Sequence, residues 1–561
     1  MNSLTKRNIS KIFASDAFSF AFCFFMGAAF FIYIYGINIL DFTYTDWLLS
    51  AGGDLSQHYM GWAFFRQSEW FFPIGLMDRL VYPFKESIVF TDSIPIFALI
   101  FKLFSPLLPA NFQYFGLYGI MTYALQGGIS GLIFKKLSGK FLYAIVGAAF
   151  FVFSAVMTYR MYGHTSLASH YIILLCLYFC VFKNERRSAL GDISIWGGIL
   201  SLAASVHMYF VPMAAIFLCF HQLDNWLDGK KLKRICIELV CEAGCLFITM
   251  YLLGYFYTGM SKAWDTGGLG HFSANINSMF NPMGMSRFLK DLPTATSGQY
   301  EGFAYIGLGM IIGIFEALVC AVGYCKNYKK IFADERIVRK IILSFEIILL
   351  FTALSLSHIV TFGNQTLFVY DGLPQFIYTV WNVFRSSGRM MWPVVYMIMF
   401  FVICVIMKKC GKKAGLVILA VLLVIQYQDL SPYIRGKGAG FAAKVEWHTN
   451  LLSPAWDRLG RDYKHIFYLS GLVNMNPLLK FASDNDMTVN DTYLARKDAV
   501  AIYGNIKEEL QKIADGNSNP DTIYVFSESL GALSADNMHI YVIDGLTIGL
   551  RDKPDYMKSH E

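Results

Sequence analysis

A chain of 561 residues that is 55% hydrophobic, 17% aromatic and only 16% charged, with a mean hydropathy of +0.45, lies outside the composition of soluble globular domains. Its net charge of +7 sits in short basic clusters between apolar runs, a pattern of membrane topology that argues against a nucleic-acid partner. All eleven cysteines fall between Cys23 and Cys410 with no disulfide or zinc spacing, and Cys236, Cys241 and Cys245 read as small hydrophobes.

The first apolar run, about 16 to 40, follows Lys6, Arg7 and Lys11 and has no Ala-x-Ala cleavage site, so it reads as a retained first helix. Further basic clusters stand at Lys135/Lys136/Lys140, Lys183/Arg186/Arg187, Lys230/Lys231/Lys233/Arg234, Lys326/Lys329/Lys330/Arg336/Arg339/Lys340 and Lys408/Lys409/Lys412/Lys413. The positive-inside rule puts all of them in the cytoplasm, so an even number of crossings separates neighbours. That parity turns 88–104, with its Asp92, Pro95 and Lys102, into a re-entrant or interfacial helix within one outer loop, 41–110. It also splits the apolar run 193–222 at Ser205-Val206-His207-Met208-Tyr209 into two short helices whose tip points outward.

The expected fold is a polytopic α-helical membrane domain over 1–428 followed by an extracytoplasmic α/β domain over 429–561. Its eleven crossings fall at about 16–40, 111–134, 141–158, 166–182, 191–206, 207–222, 235–258, 301–325, 338–360, 389–407 and 414–428, with the amino terminus inside and the carboxyl terminus outside. In the last domain 466–469, 522–526 and 540–543 read as strands and 502–515 as a helix.

Polar residues able to do chemistry gather on the predicted outer side. Gly52-Gly53-Asp54-Leu55-Ser56-Gln57-His58 opens a helix-like aromatic segment, and Asp54 and His58 at four-residue spacing share a face suited to general base work on a hydroxyl. Asp54 and Gln57 equally have the spacing of a helix-capping pair, and Asp92 can cap the helix that follows it. Arg160 and His164, with His170 beyond, suit a phosphate or pyrophosphate headgroup, although snorkelling alone explains an arginine there. His207 and Tyr209 occupy the tip of the broken hairpin, and Glu301 opens the eighth crossing. Arg385 and Arg389 open the tenth, where they can clamp an anion or anchor at the interface. Asn275, Asn277 and Asn281 form a polar outer segment.

This plan resembles the GT-C membrane glycosyltransferases. More narrowly, the segments Gly53 to Tyr59, Ile88 to Pro95, Phe112 to Gly116, Gln299 to Gly302 and Phe384 to Arg389 resemble a bacterial membrane-protein family of GT-C-like architecture. The resemblance covers about 15–430 and implies transfer of a sugar from a polyprenyl-phosphate donor to an envelope glycan, such as O-antigen lipopolysaccharide or teichoic acid. The setting it implies is the outer face of the bacterial cytoplasmic membrane. It makes Asp54 the catalytic base, with inversion, and Asp92 or Glu301 a possible second acid. His58, Arg160, His164, His207, Tyr209, Arg385 and Arg389 become substrate-binding residues. No Asp-x-Asp motif stands in the first loop, which argues against a divalent metal, and no cofactor is expected. A transporter or flippase of lipid-linked glycans is the alternative, although no paired repeats are visible.

Overall fold

The computed structural model describes residues 15–184, 186–257, 268–325, 335–469, 475–494, 496–526 and 538–560; the basic residues Lys6, Arg7, Lys11, Lys326, Lys329 and Lys330 lie outside the described residues. The chain forms two compact units, one of 1–41, 114–246 and 264–444, the other of 42–113, 247–263 and 445–561.

Six helices among the described residues are long and apolar enough to cross a membrane: Asp16–Tyr35, Phe115–Ser138, Ala189–Val206, Leu232–Leu253, Ser387–Lys409 and Ala414–Ala442. The chain is therefore a helical membrane protein with six candidate spans rather than eleven. The reduction has physical causes. Phe141–Val152 has 12 residues, and at ~1.5 Å per residue it covers about 18 Å of the ~30 Å hydrocarbon layer. The expected crossing 141–158 breaks at Phe153 and Ser154 before a second short helix, Ala155–Arg160. The helix Glu335–Leu356 is long, but Glu335, Arg336, Arg339, Lys340 and Glu346 dilute its apolarity. Apolar runs overcount spans because they register composition without registering where the helix ends.

The break expected within 193–222 is present. Ala189–Val206 ends at His207, and Phe210–Leu227 begins after Tyr209. At the other ends of these helices three basic clusters meet acids. Lys183 bonds Asp224 at 3.1 Å and Asp228 at 2.5 Å, Arg339 joins the same two carboxylates, and Lys230 joins Asp192 at 3.1 Å and Glu238 at 2.5 Å.

Glycine sets a close helix contact in this unit. A Cβ at Gly27 would lie 2.1 Å from the Tyr123 carbonyl oxygen, and one at Gly127 would lie 2.2 Å from that of Cys23. Asp16–Tyr35 and Phe115–Ser138 thus pack backbone to backbone, as small residues permit between membrane helices.

In the other unit, a five-stranded sheet runs in the order Thr488–Val489, His465–Tyr468, Thr522–Phe526, Leu546–Leu550, His539–Ile543. The first three strands are parallel and the last two antiparallel to their neighbours. Phe467, Leu469, Ile513, Tyr524, Phe526 and Met538 form its core, partly under the helix Ala499–Ala514. The 42–113 segment belongs to this same unit. Tyr82 N donates to the Val489 carbonyl at 2.8 Å and Val489 N to that of Arg79 at 2.8 Å, so 79–82 extends the parallel edge of the sheet. Tyr82 also stacks on His465 at 4.4 Å.

The backbone contact at Gly127 predicts that Gly127→Leu lowers the thermal midpoint of the detergent-solubilised protein by several degrees, because overpacking typically costs about 1–3 kcal/mol. Gly198, with nothing within 4 Å of its would-be Cβ, is the control, and Gly198→Leu should leave the midpoint unchanged.

Candidate functional site

In the helical unit two 3₁₀ turns meet. Ser297–Gly302 carries Glu301 and Ser387–Met390 carries Arg389. They approach closely because both have glycine at the contact. A Cβ at Gly388 would lie 2.5 Å from the Cα of Gly302 and 2.7 Å from its nitrogen. The Gly388 N–H donates to the Phe272 carbonyl at 3.1 Å, fixing the turn.

This approach lets Arg389 grip Glu301 with two hydrogen bonds, Nε to Oε2 at 2.8 Å and Nη2 to Oε1 at 2.9 Å. Arg160, the last residue of Ala155–Arg160, gives Nη2 to the same Oε2 at 2.6 Å and to the Glu301 carbonyl at 3.2 Å. Lys437 holds the end of that helix by donating to the carbonyls of Thr158 at 2.8 Å and Met161 at 2.5 Å. Arg160 is 5% exposed, Glu301 and Arg389 7% each, so the cluster is buried. Two guanidinium groups thus share one carboxylate.

Burial alone would raise the Glu301 pKa, but the Arg389 charge, then that of Arg160, then the Arg389 hydrogen bonds and His164, hold it well below the usual carboxylate range. Both carboxylate oxygens are engaged, a geometry that suits a counter-ion positioning two guanidinium groups better than the second acid expected from sequence.

Aromatic rings wall the cations. The Arg160 Cζ lies 5.3 Å from the Trp392 ring and 5.2 Å from that of Tyr159, and the Arg389 Cζ lies 4.4 Å from Tyr209. The Tyr209 hydroxyl accepts from Ser386 N at 2.9 Å, and the His207 ring sits 5.5 Å from Tyr209 and 5.4 Å from His164. His164 follows the helix end, yet its N–H still donates to the Arg160 carbonyl at 2.8 Å, so the four-residue spacing from Arg160 holds in the backbone while its ring meets His207. Arg385 is half-buried on Phe272 at 5.5 Å.

Sequence reading missed Trp392 and Tyr396. Their spacing from Arg389, three and seven residues along the same helical stretch, is the signal that finds them. The His170 Nδ1 lies 2.7 Å from the Tyr396 hydroxyl, which donates to Ser154 Oγ at 3.0 Å, and the His170 ring is 4.7 Å from Trp392. Arg160 Nε, Trp392 Nε1 and His170 Nε2 are buried and meet no hydrogen-bond partner among the described residues. The first two are N–H donors, so the chemistry they ask for is a ligand oxygen.

Asp54, His58 and Asp92 belong to the other unit. Gly52 and Gly53 take positive φ values of 63° and 51° and start the helix Gly53–Gln67 at Gly53. Asp54 therefore sits inside the first turn, with Gly52 as the cap and no side-chain capping bond, so the expected Asp54/Gln57 capping pair does not form. Asp54 is half-buried, and His58 is buried one turn further along the same helix. Asp92 is left-handed at φ 55° and follows the turn Ile88–Thr91. It does not cap Pro95–Leu103, whose cap position is Ile94. Asp92 and Arg496 both lie close enough to Tyr255 for their charges to act on it. Asn275, from the polar segment, bridges Gln299 at 3.0 Å and Gly363 at 2.8 Å and so supports the turn that carries Glu301.

A family model described as a domain of unknown function (DUF6311) matches residues 24–431, and one described as the DUF6311 C-terminal domain matches residues 455–551. No curated protein matches the chain.

Removing one partner of a buried ion cluster costs about 3–5 kcal/mol, so Arg389→Ala and Glu301→Gln should each lower the unfolding free energy by that order in denaturant titrations. The depressed Glu301 pKa adds a pH signature. Its contribution is complete above the unfolded carboxyl value of about 4.3 and is lost as pH falls through the folded value. The stability gap between wild type and Glu301→Gln should be flat from pH 7 to 5 and shrink below about pH 4.

Proposed function

The chain belongs to the DUF6311 family, and we propose that it is a GT-C-type glycosyltransferase of the bacterial cytoplasmic membrane that moves a sugar from a polyprenyl-phosphate donor to an envelope glycan. One observation carries this reading: the buried, aromatic-walled Arg160–Glu301–Arg389 cluster brings two guanidinium groups to one carboxylate and leaves the Arg160 Nε and Trp392 Nε1 donors without a partner among the described residues, inside a unit of apolar helices. A phosphate on a lipid tail meets both demands, because its oxygens take the donors and its chain takes the apolar surroundings. A soluble anion would gain nothing from that setting.

In the reaction an acceptor hydroxyl attacks the anomeric carbon of the donor sugar. The bond from that carbon to the phosphate oxygen breaks, its electron pair stays on the polyprenyl phosphate, and the hydroxyl proton passes to a carboxylate. Asp54 is assigned as that base from the sequence resemblance, and the configuration inverts. Arg160 and Arg389 stabilise the charge that grows on the leaving phosphate.

Purified protein incubated with polyprenyl-phosphate sugars and envelope-glycan acceptors should form product, and Asp54→Asn should abolish it. Full transfer by Asp54→Asn eliminates this base, whereas donor binding without transfer by the wild type favours transport of the lipid-linked glycan. Arg389→Lys keeps the charge but loses the two-pronged grip, and should raise the donor KM about tenfold with acceptor KM unchanged. For orientation, a cysteine placed at 95 should be labelled from outside in intact cells and one at 137 should not. The reverse pattern overturns the assignment of the first loop to the outer face.

A further inference from the structure

Between the helices Glu335–Leu356 and Met391–Lys409 the chain makes a structure that no span accounts for. Ile359–Phe362 and Gln365–Val369 pair as an antiparallel hairpin, and Gln375–Val383 follows as a short helix. The inner strand is fastened to the unit. Thr361 Oγ1 accepts from Gln299 Nε2 at 2.7 Å, the Thr361 carbonyl from Ile276 N at 3.0 Å, and Gly363 N donates to Asn275 Oδ1 at 3.0 Å. The helix is tied back through Tyr378, whose hydroxyl donates to the Tyr370 carbonyl at 2.8 Å.

The outer strand is different: all five of its residues are exposed, and its outer edge pairs with no further strand among the described residues. Phe362 is 54% exposed, Phe368 59%, Phe376 69% and Val380 60%. From 359 to 384 the only charged residue is Asp371, against seven aromatic residues: Phe362, Phe368, Tyr370, Phe376, Tyr378, Trp381 and Phe384. An uncharged, apolar free strand edge in water is an invitation to aggregate.

We infer that this hairpin and helix form a paddle lying in the headgroup region of the bilayer. Three observations choose lipid over a protein partner. The segment is flanked in the chain by a candidate span, Ser387–Lys409. On its other side it continues the exposed apolar stripe Ile341, Phe345 and Leu349 of Glu335–Leu356, residues spaced four apart on one helix face. Its composition, aromatic with almost no charge, is that of membrane-interface anchors.

The same strand edge fixes the depth. Unpaired backbone N–H and C=O groups cost several kcal/mol each in hydrocarbon, so the paddle lies where water and headgroups still reach them. Because Phe384 leads directly to Arg385 and Arg389, and its ring lies 5.5 Å from Tyr209, an embedded paddle holds the mouth of the arginine cluster at headgroup level. The inference stands on the paddle's own surface and is measured independently of sugar transfer.

The test uses the full-length chain in vesicles of phosphatidylcholine and phosphatidylglycerol, with p-benzoylphenylalanine in place of Phe368 or of Phe376. Phe25, 69% exposed on the candidate span Asp16–Tyr35, is the lipid-facing reference, and Tyr503, 64% exposed on Ala499–Ala514, is the water-facing one. After irradiation, mass spectrometry should find lipid adducts at 368 and 376 at least tenfold above position 503 and comparable with 25. Adduct yields at the level of 503, or cross-linked pairs of chains in place of lipid adducts, overturn the proposal. Both substitutions lie on exposed rings, and an unchanged gel-filtration profile in detergent confirms that the protein carrying them is folded.

Discussion

A single buried carboxylate organises the helical unit. Glu301 is the shared acceptor for Arg160 and Arg389, which come from stretches more than two hundred residues apart in the chain. Neither cation tolerates burial without it, because an ion out of water costs several kcal/mol unless paired. The glycines at 302 and 388, the Lys437 clamp on the preceding helix end and the Asn275 bridge all serve that meeting. One carboxylate thus holds two guanidinium forks in position.

Packing of a different kind supports this polar centre. The two helices nearest the amino terminus of the helical unit touch through glycine, with Phe30, Phe31 and Tyr35 of one packed around Tyr123 of the other, and small residues of this kind let membrane helices approach closely. At their far ends from His207, the hairpin helices are fastened by ion pairs between basic clusters and acids. The unit thus has a polar fastening at each end of the broken hairpin.

How much of this was legible in the sequence depended on whether the signal was local. Charge parity located the break at His207 because a loop-bracketed run of that length must turn. The strand at 522–526 was read to the residue, because a run of β-branched and aromatic residues is a local signature. Spans were overcounted because an apolar run does not reveal a helix that stops at Val152 or charges that sit on its face. The paddle falls almost wholly in the connection between the expected crossings 338–360 and 389–407, and a hairpin with apolar residues on both faces has no alternation to betray it. Arg160, Glu301 and Arg389 each stand out in the sequence, yet their pairing does not, because nothing in a chain of charges says which distant opposite charge each one will meet. The Asp54/Gln57 spacing admits a capping pair that does not form, because two glycines at positive φ start the helix.

The strand-like pairing of 79–82 with Val489 ties together residues made at opposite ends of synthesis. A ribosome must complete the intervening membrane helices before the partner edge exists, so the early segment waits exposed while some four hundred residues are added. Loop closure over such a length is slow rather than weak, since its entropic cost grows only with the logarithm of the separation. Truncating the carboxyl-terminal sheet would therefore do more than delete a domain: it would leave an amino-terminal stretch with an unfilled edge and give quality-control machinery a marker of incomplete chains.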